Sequence, residues 1–211
     1  MDVIDVLTLI APYALLIVSF VSLFGNGTIL LVVIKNASLR QKDCLYLIAA
    51  LAVADFLTAV GTIPYSLNLL ISSNTNCTAG TIFWTVAGNV SGVRMNQICT
   101  LCLAIDRLYA LYRPFAYRAK NHLKIAQFVI AVSFIWSALE VVANVFIQDM
   151  SETKSSCTSG AGFSSAFRMY RMYSNLALNI GTQMLYAVVF RKIRKLKTEQ
   201  SVQDAKDKLQ Q

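Results

Sequence analysis

The chain has 211 residues, of which 56% are hydrophobic and only 14% charged, and so carries more apolar surface than a soluble core of that size buries. Its formal net charge of +8 suggests nucleic acid as a partner. The positions of the basic residues, given below, account for that charge at membrane flanks instead and exclude the nucleic-acid reading.

The hydrocarbon core of a bilayer is about 30 Å thick, so a helical span needs about 20 mostly apolar residues. In chain order, five segments qualify: residues 10–34, 44–71, 81–112, 125–147 and 173–190. The first two are the clearest. The third is overlong and holds several polar residues, and the fifth is weaker, with Arg168 and Arg171 before it. Lipid offers backbone amides no partner, and these runs lack the short alternating segments of a barrel, so the fold class is an all-α membrane protein. The first run follows Asp2 and Asp5 rather than the basic residues of a cleavable signal, and is read as a retained span. Residues 1–195 thus form the membrane domain. Residues 196–211 are a polar cytoplasmic tail, read either as a helix extension or as a disordered end.

Fifteen of the nineteen lysines and arginines follow the odd-numbered spans. Lys35, Arg40 and Lys42 come after the first; Arg107, Arg113, Arg118, Lys120 and Lys124 after the third; Arg191, Lys192, Arg194, Lys195, Lys197, Lys206 and Lys208 after the fifth. By the positive-inside rule the N-terminus is outside, the C-terminus inside, and the chain is a multi-pass protein of the cell membrane. The basic runs anchor it to the anionic headgroups of membrane lipid.

This topology sorts the five cysteines. Cys77 and Cys157 fall outside and are the pair open to oxidation. Cys44 lies at the inner end of the second span, and Cys99 and Cys102 within the third, as small apolar side chains. No metal-ligand spacing, phosphate loop or nucleophile with an associated base appears, so neither an enzyme nor a cofactor is expected. The one histidine, His122, falls in a basic loop and is expected to be solvated. No internal repeat is visible, which argues against a transporter built from inverted halves.

What remains is a set of polar residues at membrane depth, where such groups face the bundle interior and have partners. They are Asn26, Asp55, Asn89, Arg94 and Glu140. Asn26 stands in Gly25-Asn26-Gly27, and Asp55 in Leu51-Ala52-Val53-Ala54-Asp55 with Pro64 nine residues on. The third span ends in Asp106-Arg107-Leu108-Tyr109, with Pro114 downstream, and Trp136 lies in the fourth. These motifs, in this order and each on its own helix, resemble the rhodopsin-like G-protein-coupled receptors. Gly25-Asn26-Gly27, Ser38-Leu39-Arg40, Ala52-Val53-Ala54-Asp55 and Ile105-Asp106-Arg107-Leu108 look most like the nematode serpentine chemoreceptors of the Srsx class. The resemblance covers roughly Gly25 to Lys195 and implies a partial seven-transmembrane bundle.

The resemblance implies roles for these residues. Asn26, Asp55 and Trp136 would form an intramembrane polar network, with Asp55 as a sodium site that is incomplete without a seventh helix. Asp106, Arg107, Leu108 and Pro114 would couple to a heterotrimeric G protein, with Arg107 pairing Asp106 at rest. Asn89, seventeen residues before Asp106 and so about 25 Å up the helix, stands where amine receptors carry an aspartate, which argues against an amine as the extracellular ligand. Asn89, Arg94 and Glu140 are the ligand-pocket candidates. Arg94 pairs with Glu140, meets an acidic ligand or snorkels to the interface, and the cost of a lone buried cation favours the pair.

Three features depart from the family. Cys77 lies about a helical turn further from Asp106 than the family's cysteine does, the fifth span has no proline, and the sixth and seventh helices are missing. Asn76-Cys77-Thr78 fits a glycosylation pattern whose middle residue is itself a candidate for disulfide bonding. The expectation is a chemosensory receptor represented by a chain truncated after its fifth helix. The alternatives are a non-signalling truncated receptor that associates with full-length partners, or an unrelated five-helix transporter or scaffold.

Overall fold

The computed structural model describes residues 3–36, 39, 45–71 and 77–209 and is helical over nearly all of them. Asp2, Ser38, Arg40, Lys42, Cys44 and Asn76, named above, lie outside the described residues. In chain order the elements are α1 (Val3–Lys35), α2 (Leu45–Ile71), β1 (Cys77–Thr78), α3 (Ala79–Tyr112), α4 (Pro114–Arg118), α5 (His122–Ile147), β2 (Thr153–Lys154) and α6 (Ser165–Leu209). By length and composition, α1 from Ile10 on, α2 and α5 are apolar enough to cross a membrane. Helices α3 and α6 are longer, at 34 and 45 residues, and more polar.

Chemistry at the chain breaks sets where the helices stop. Thr78 caps α3, its hydroxyl accepting from the Thr81 amide at 3.2 Å, which satisfies one of the amides a helix start leaves unpaired. At the other end Pro114 bars Arg113 from helical geometry. Arg113 sits at φ −137°, ψ 66°, and Pro114 takes the first position of α4. The Asn121 side chain caps α5 through the Lys124 amide at 3.1 Å. Pro64 interrupts α2 without ending it. Around it the hydroxyls of Thr58, Thr62 and Ser66 fold back onto the carbonyls of Ala54, Thr58 and Thr62, an internal pairing that suits a helix with no water to turn to.

Helix α3 is the centre of the bundle and packs on α2, α5 and α6, while α1 packs on α2. At the α2–α3 crossing the backbones touch. A Cβ on Gly61 would lie 2.2 Å from the Gly88 carbonyl carbon, and one on Gly92 would lie 2.5 Å from the Thr58 Cα. Small residues permit the close approach that drives helix association where there is no hydrophobic effect between spans. The outer faces are the reverse. Val21, Phe24, Phe128 and Phe146 are each at least 68% exposed, which fits lipid rather than water as their surroundings.

Two expectations need correction. Helix α6 starts at Ser165 rather than at residue 173, so Arg168 and Arg171 lie inside it, and it continues through the polar tail to Leu209. The aliphatic stems of these cations are long enough to carry their charge clear of an apolar stretch. His122 is not a solvated loop residue. It opens α5 and is only 3% exposed.

The α2–α3 crossing yields a first prediction. Gly92→Val should overpack the contact and cost about 1–3 kcal/mol, read as a lower melting temperature of the detergent-solubilised protein. Gly25→Ala, where a Cβ meets nothing within 4 Å, serves as the control and should leave the melting temperature unchanged or raise it. Equal melting temperatures for Gly92→Val and the parent would show that the two backbones do not meet.

Candidate functional site

Arg94 is 2% exposed and Glu140 5%, deep between α3 and α5. The Arg94 Nε lies 2.8 Å and 3.0 Å from the two Glu140 carboxylate oxygens. One terminal nitrogen donates to Gln97 Oε1 at 2.9 Å, the other to Ser174 Oγ at 2.7 Å. Glu140 also accepts from Trp136 Nε1 at 3.0 Å and the Tyr170 hydroxyl at 2.7 Å. Each helix supplies its part at one-turn spacing: Arg94 and Gln97, Trp136 and Glu140, Tyr170 and Ser174. Residues three or four apart share a helix face, so the three faces converge on one ion pair. Pairing with an opposite charge and with hydrogen-bonding neighbours is what makes a buried charge tolerable in a low dielectric.

Asn89 does not join this site. Its amide donates to Thr62 Oγ1 at 2.7 Å, so it faces α2, apart from Arg94 and Glu140, with which it was grouped. Asn26, Asp55 and Trp136, expected as one network, each bond to a different partner. Asn26 donates to the Ser22 carbonyl and hydroxyl within α1 at 3.0 Å and 3.1 Å, Asp55 accepts from Asn96, and Trp136 belongs to the Arg94 site. The close α2–α3 crossing brings Asn96, rather than Asn26, to Asp55.

At the Arg113 end of α3, Asp106 accepts from the Tyr117 hydroxyl at 3.1 Å, and His122 Nδ1 stands 4.0 Å from its other oxygen. His122 Nε2 is 2.9 Å from the Tyr117 carbonyl. A carbonyl only accepts, so Nε2 carries the hydrogen. The turn at Pro114 folds α4 back so that Tyr117 reaches Asp106, and the Lys120 ammonium lies 3.9 Å from the Tyr109 ring centroid. Arg107 and Leu108 are half-buried beside this cluster.

At the opposite end Cys77 and Cys157 are joined in a disulfide, while Cys99 and Cys102 are free. Strands β1 and β2 pair antiparallel, Cys77 opposite Lys154. The first amides of α3, those of Ala79 and Gly80, donate to the carbonyls of Glu152 and Met150 at 2.8 Å and 2.9 Å. The loop after α5 therefore supplies the partners that the helix start lacks. Its acids are held too. The Lys154 ammonium and the Gln148 amide beside Glu152 hold its carboxyl below the usual carboxylate range, and the Ser151 hydroxyl and amide do the same for Asp149. Both stay ionised at neutral pH, so these cross-links persist there.

Sequence reasoning missed Gln97, Tyr170 and Ser174 around Arg94, Asn96 beside Asp55, and Tyr117 and His122 beside Asp106. The one-turn spacing of Arg94 to Gln97 and of Tyr170 to Ser174 is a signal that could have found three of them.

Residues 19–209 match the family model described as serpentine type 7TM GPCR chemoreceptor Srsx. The chain is similar to the melatonin receptor type 1A of Gallus gallus, 25% identical over 178 residues that make up 76% of this chain and 46% of that receptor. It is also similar to the D(1A) dopamine receptor of Xenopus laevis, 30% identical over 56% of this chain and 26% of that receptor. Dopamine receptor 2 of Drosophila melanogaster is 31% identical over 59% of this chain and 23% of its own length. The chain thus spans less than half the length of each of these relatives.

Removing one member of the Arg94–Glu140 pair leaves the other charge buried alone. Glu140→Leu should destabilise the protein by about 3–5 kcal/mol. The double variant Arg94→Met with Glu140→Leu should recover much of that loss, read in melting temperatures of the solubilised protein. A double variant no more stable than Glu140→Leu alone would show that the pair is not what holds the site.

Proposed function

The chain belongs to the serpentine type 7TM GPCR chemoreceptor Srsx family, and we propose that it forms the ligand-facing and coupling core of a chemosensory receptor of the cell membrane. In this reading the chain crosses the bilayer five times, with α1, α2, α3, α5 and α6 as the spans and the N-terminus outside. The disulfide-tied end, with its ordered loop over α3, faces the medium and an extracellular ligand. The Arg113 end faces the cytoplasm and a heterotrimeric G protein. Such a chain is a receptor rather than an enzyme.

The observation that carries this reading is the setting of Asp106-Arg107 at the Arg113 end of α3. The Tyr117 hydroxyl holds the Asp106 carboxylate from the side of α4, and the His122 ring of α5 stands beside it. The neighbouring guanidinium of Arg107 is a rigid, permanently charged fork on a helix that runs the full depth of the bundle. A shift of α3 against α5 alters the grip on Asp106 and with it the disposition of Arg107, which is how a signal crosses from one end to the other. Leu108 beside it and Pro114, which turns the chain into α4, complete the surface offered to the G protein.

Two experiments test this. Epitope tags at Met1 and Gln211 should be reached by antibody from outside and from inside respectively, since the basic residues follow the odd-numbered spans. Both tags on one face would sink the five-span reading. Arg107→Ala, in a chain completed to seven helices and expressed with a G-protein reporter, should leave surface expression near that of the parent, because an interfacial arginine contributes little to insertion. Ligand-driven signalling should fall by roughly tenfold or more, a loss of at least about 1.4 kcal/mol in coupling. Undiminished signalling would reduce Asp106-Arg107 to a helix cap.

A further inference from the structure

Helices α5 and α6 both pack on α3 but hardly approach each other, and the trough between them holds two cavities, of about 490 Å³ and 420 Å³. The cavities meet at Trp136 and Tyr170, which line both. Alanines keep the trough open: Ala143 and Ala166 in the first cavity, Ala177 in the second. From Val132 to Ile147 it follows α5 for fifteen residues, about 22 Å at 1.5 Å per residue. We infer that this trough is a binding site for an uncharged lipophilic molecule that carries a hydroxyl and comes to the protein from the bilayer.

Three observations fix that chemistry. The first is where the trough opens. Leu139 is 63% exposed, Ile147 59% and Trp136 51%, and they lie on a helix apolar enough to span a membrane. Its mouth therefore faces acyl chains, and a molecule already dissolved in lipid reaches it without crossing water. The second is that the ion pair at the floor is neutral as a whole. Each nitrogen of the Arg94 guanidinium has a partner, in Glu140, Gln97 and Ser174, and Glu140 is neutralised by Arg94. The pair carries no net charge to draw in an acid or an amine, and either would have to be desolvated to enter.

The third is the hydrogen bonding left at the floor. Glu140 Oε1 takes Trp136 Nε1 and the Tyr170 hydroxyl, while Oε2 takes only Arg94 Nε as a hydrogen-bond donor. Oε2 and the lone pairs of the Tyr170 oxygen are acceptors that a ligand hydroxyl can use. Elsewhere the walls are apolar. A long apolar cleft with a few convergent polar groups is the usual form of a small-molecule site, and here the polar point stands part-way along, with about 10 Å of apolar trough towards Ile147 and about 12 Å towards Val132.

The inference deepens the receptor reading by naming the ligand class. Its test reads binding alone, so a failure of coupling would not touch it. The chain is placed in phosphatidylcholine nanodiscs with a diazirine-bearing hexadecanol, with the matching fatty acid and fatty amine in parallel, and irradiated. The alcohol should label segments 132–147 and 166–178 saturably and be displaced by unlabelled hexadecanol. Acid and amine should label them at least roughly tenfold less. Ala143→Trp and Ala177→Trp, each filling one cavity from a different helix, should each cut labelling by about tenfold, with folding checked by size exclusion. Labelling spread evenly around the bundle, labelling that never saturates, equal labelling by the charged probes, or full labelling of both filled variants would overturn the site. So would cross-links showing that a second copy of the chain occupies the trough.

Discussion

A charge inside a membrane protein must be answered by its neighbours, and in this chain the Arg94–Glu140 pair is the clearest instance. Neither group can reach water, so each depends on the other and on the donors and acceptors around them. Gln97, Ser174, Trp136 and Tyr170 supply those, and in doing so they tie α3, α5 and α6 together at one height. The pair is therefore a joint as well as a neutralised charge. Because α5 and α6 pack on α3 and meet each other chiefly through the Tyr170–Glu140 bond, the trough between them lies open on either side of the same joint.

Around that joint, α3 meets α2 through glycine. The contact of Gly61 with Gly88 and of Gly92 with Thr58 lets two backbones touch, and it is this closeness that places Asn96 on Asp55 and Asn89 on Thr62. One long helix thus carries four polar contacts at successive heights, two answered by α2, one by α5 and one by α4. At its ends the constraints differ. The disulfide and the loop amides fix the Cys77 end covalently and through the backbone. At the Arg113 end Asp106 accepts from the Tyr117 hydroxyl, with the His122 ring beside it. The second kind of grip is the easier to exchange, which is consistent with coupling at that end.

Much of this was legible in the sequence. The composition and the five apolar runs pointed to helices in a membrane, the spread of basic residues suggested an orientation, and the order of Asn26, Asp55, Asp106-Arg107 and Trp136 pointed to the family. The Cys77–Cys157 bridge and the Arg94–Glu140 pair were also within reach, because few residues of the right kind were available to each. His122 was misjudged because its local sequence is basic and loop-like, whereas its burial comes from α4 folding back across it. The fifth helix was cut short because Arg168, Arg171 and the polar tail break an apolar window without breaking a helix.

The sequence by itself determined which side chains within the long helices turn inward, His122 at a helix start excepted, since hydrophobic period and the cost of burying a polar group depend only on a residue and its near neighbours on one helix. Tertiary structure decided which inward side chains meet. Asn26 and Asn96 were equally qualified to serve Asp55, and the choice fell to Asn96 because glycines at the α2–α3 crossing draw those two backbones together while Asn26 stays bonded to Ser22. Partnership across helices depends on crossing geometry and rotation, which small residues far along the chain control, and a one-dimensional pattern does not carry that information.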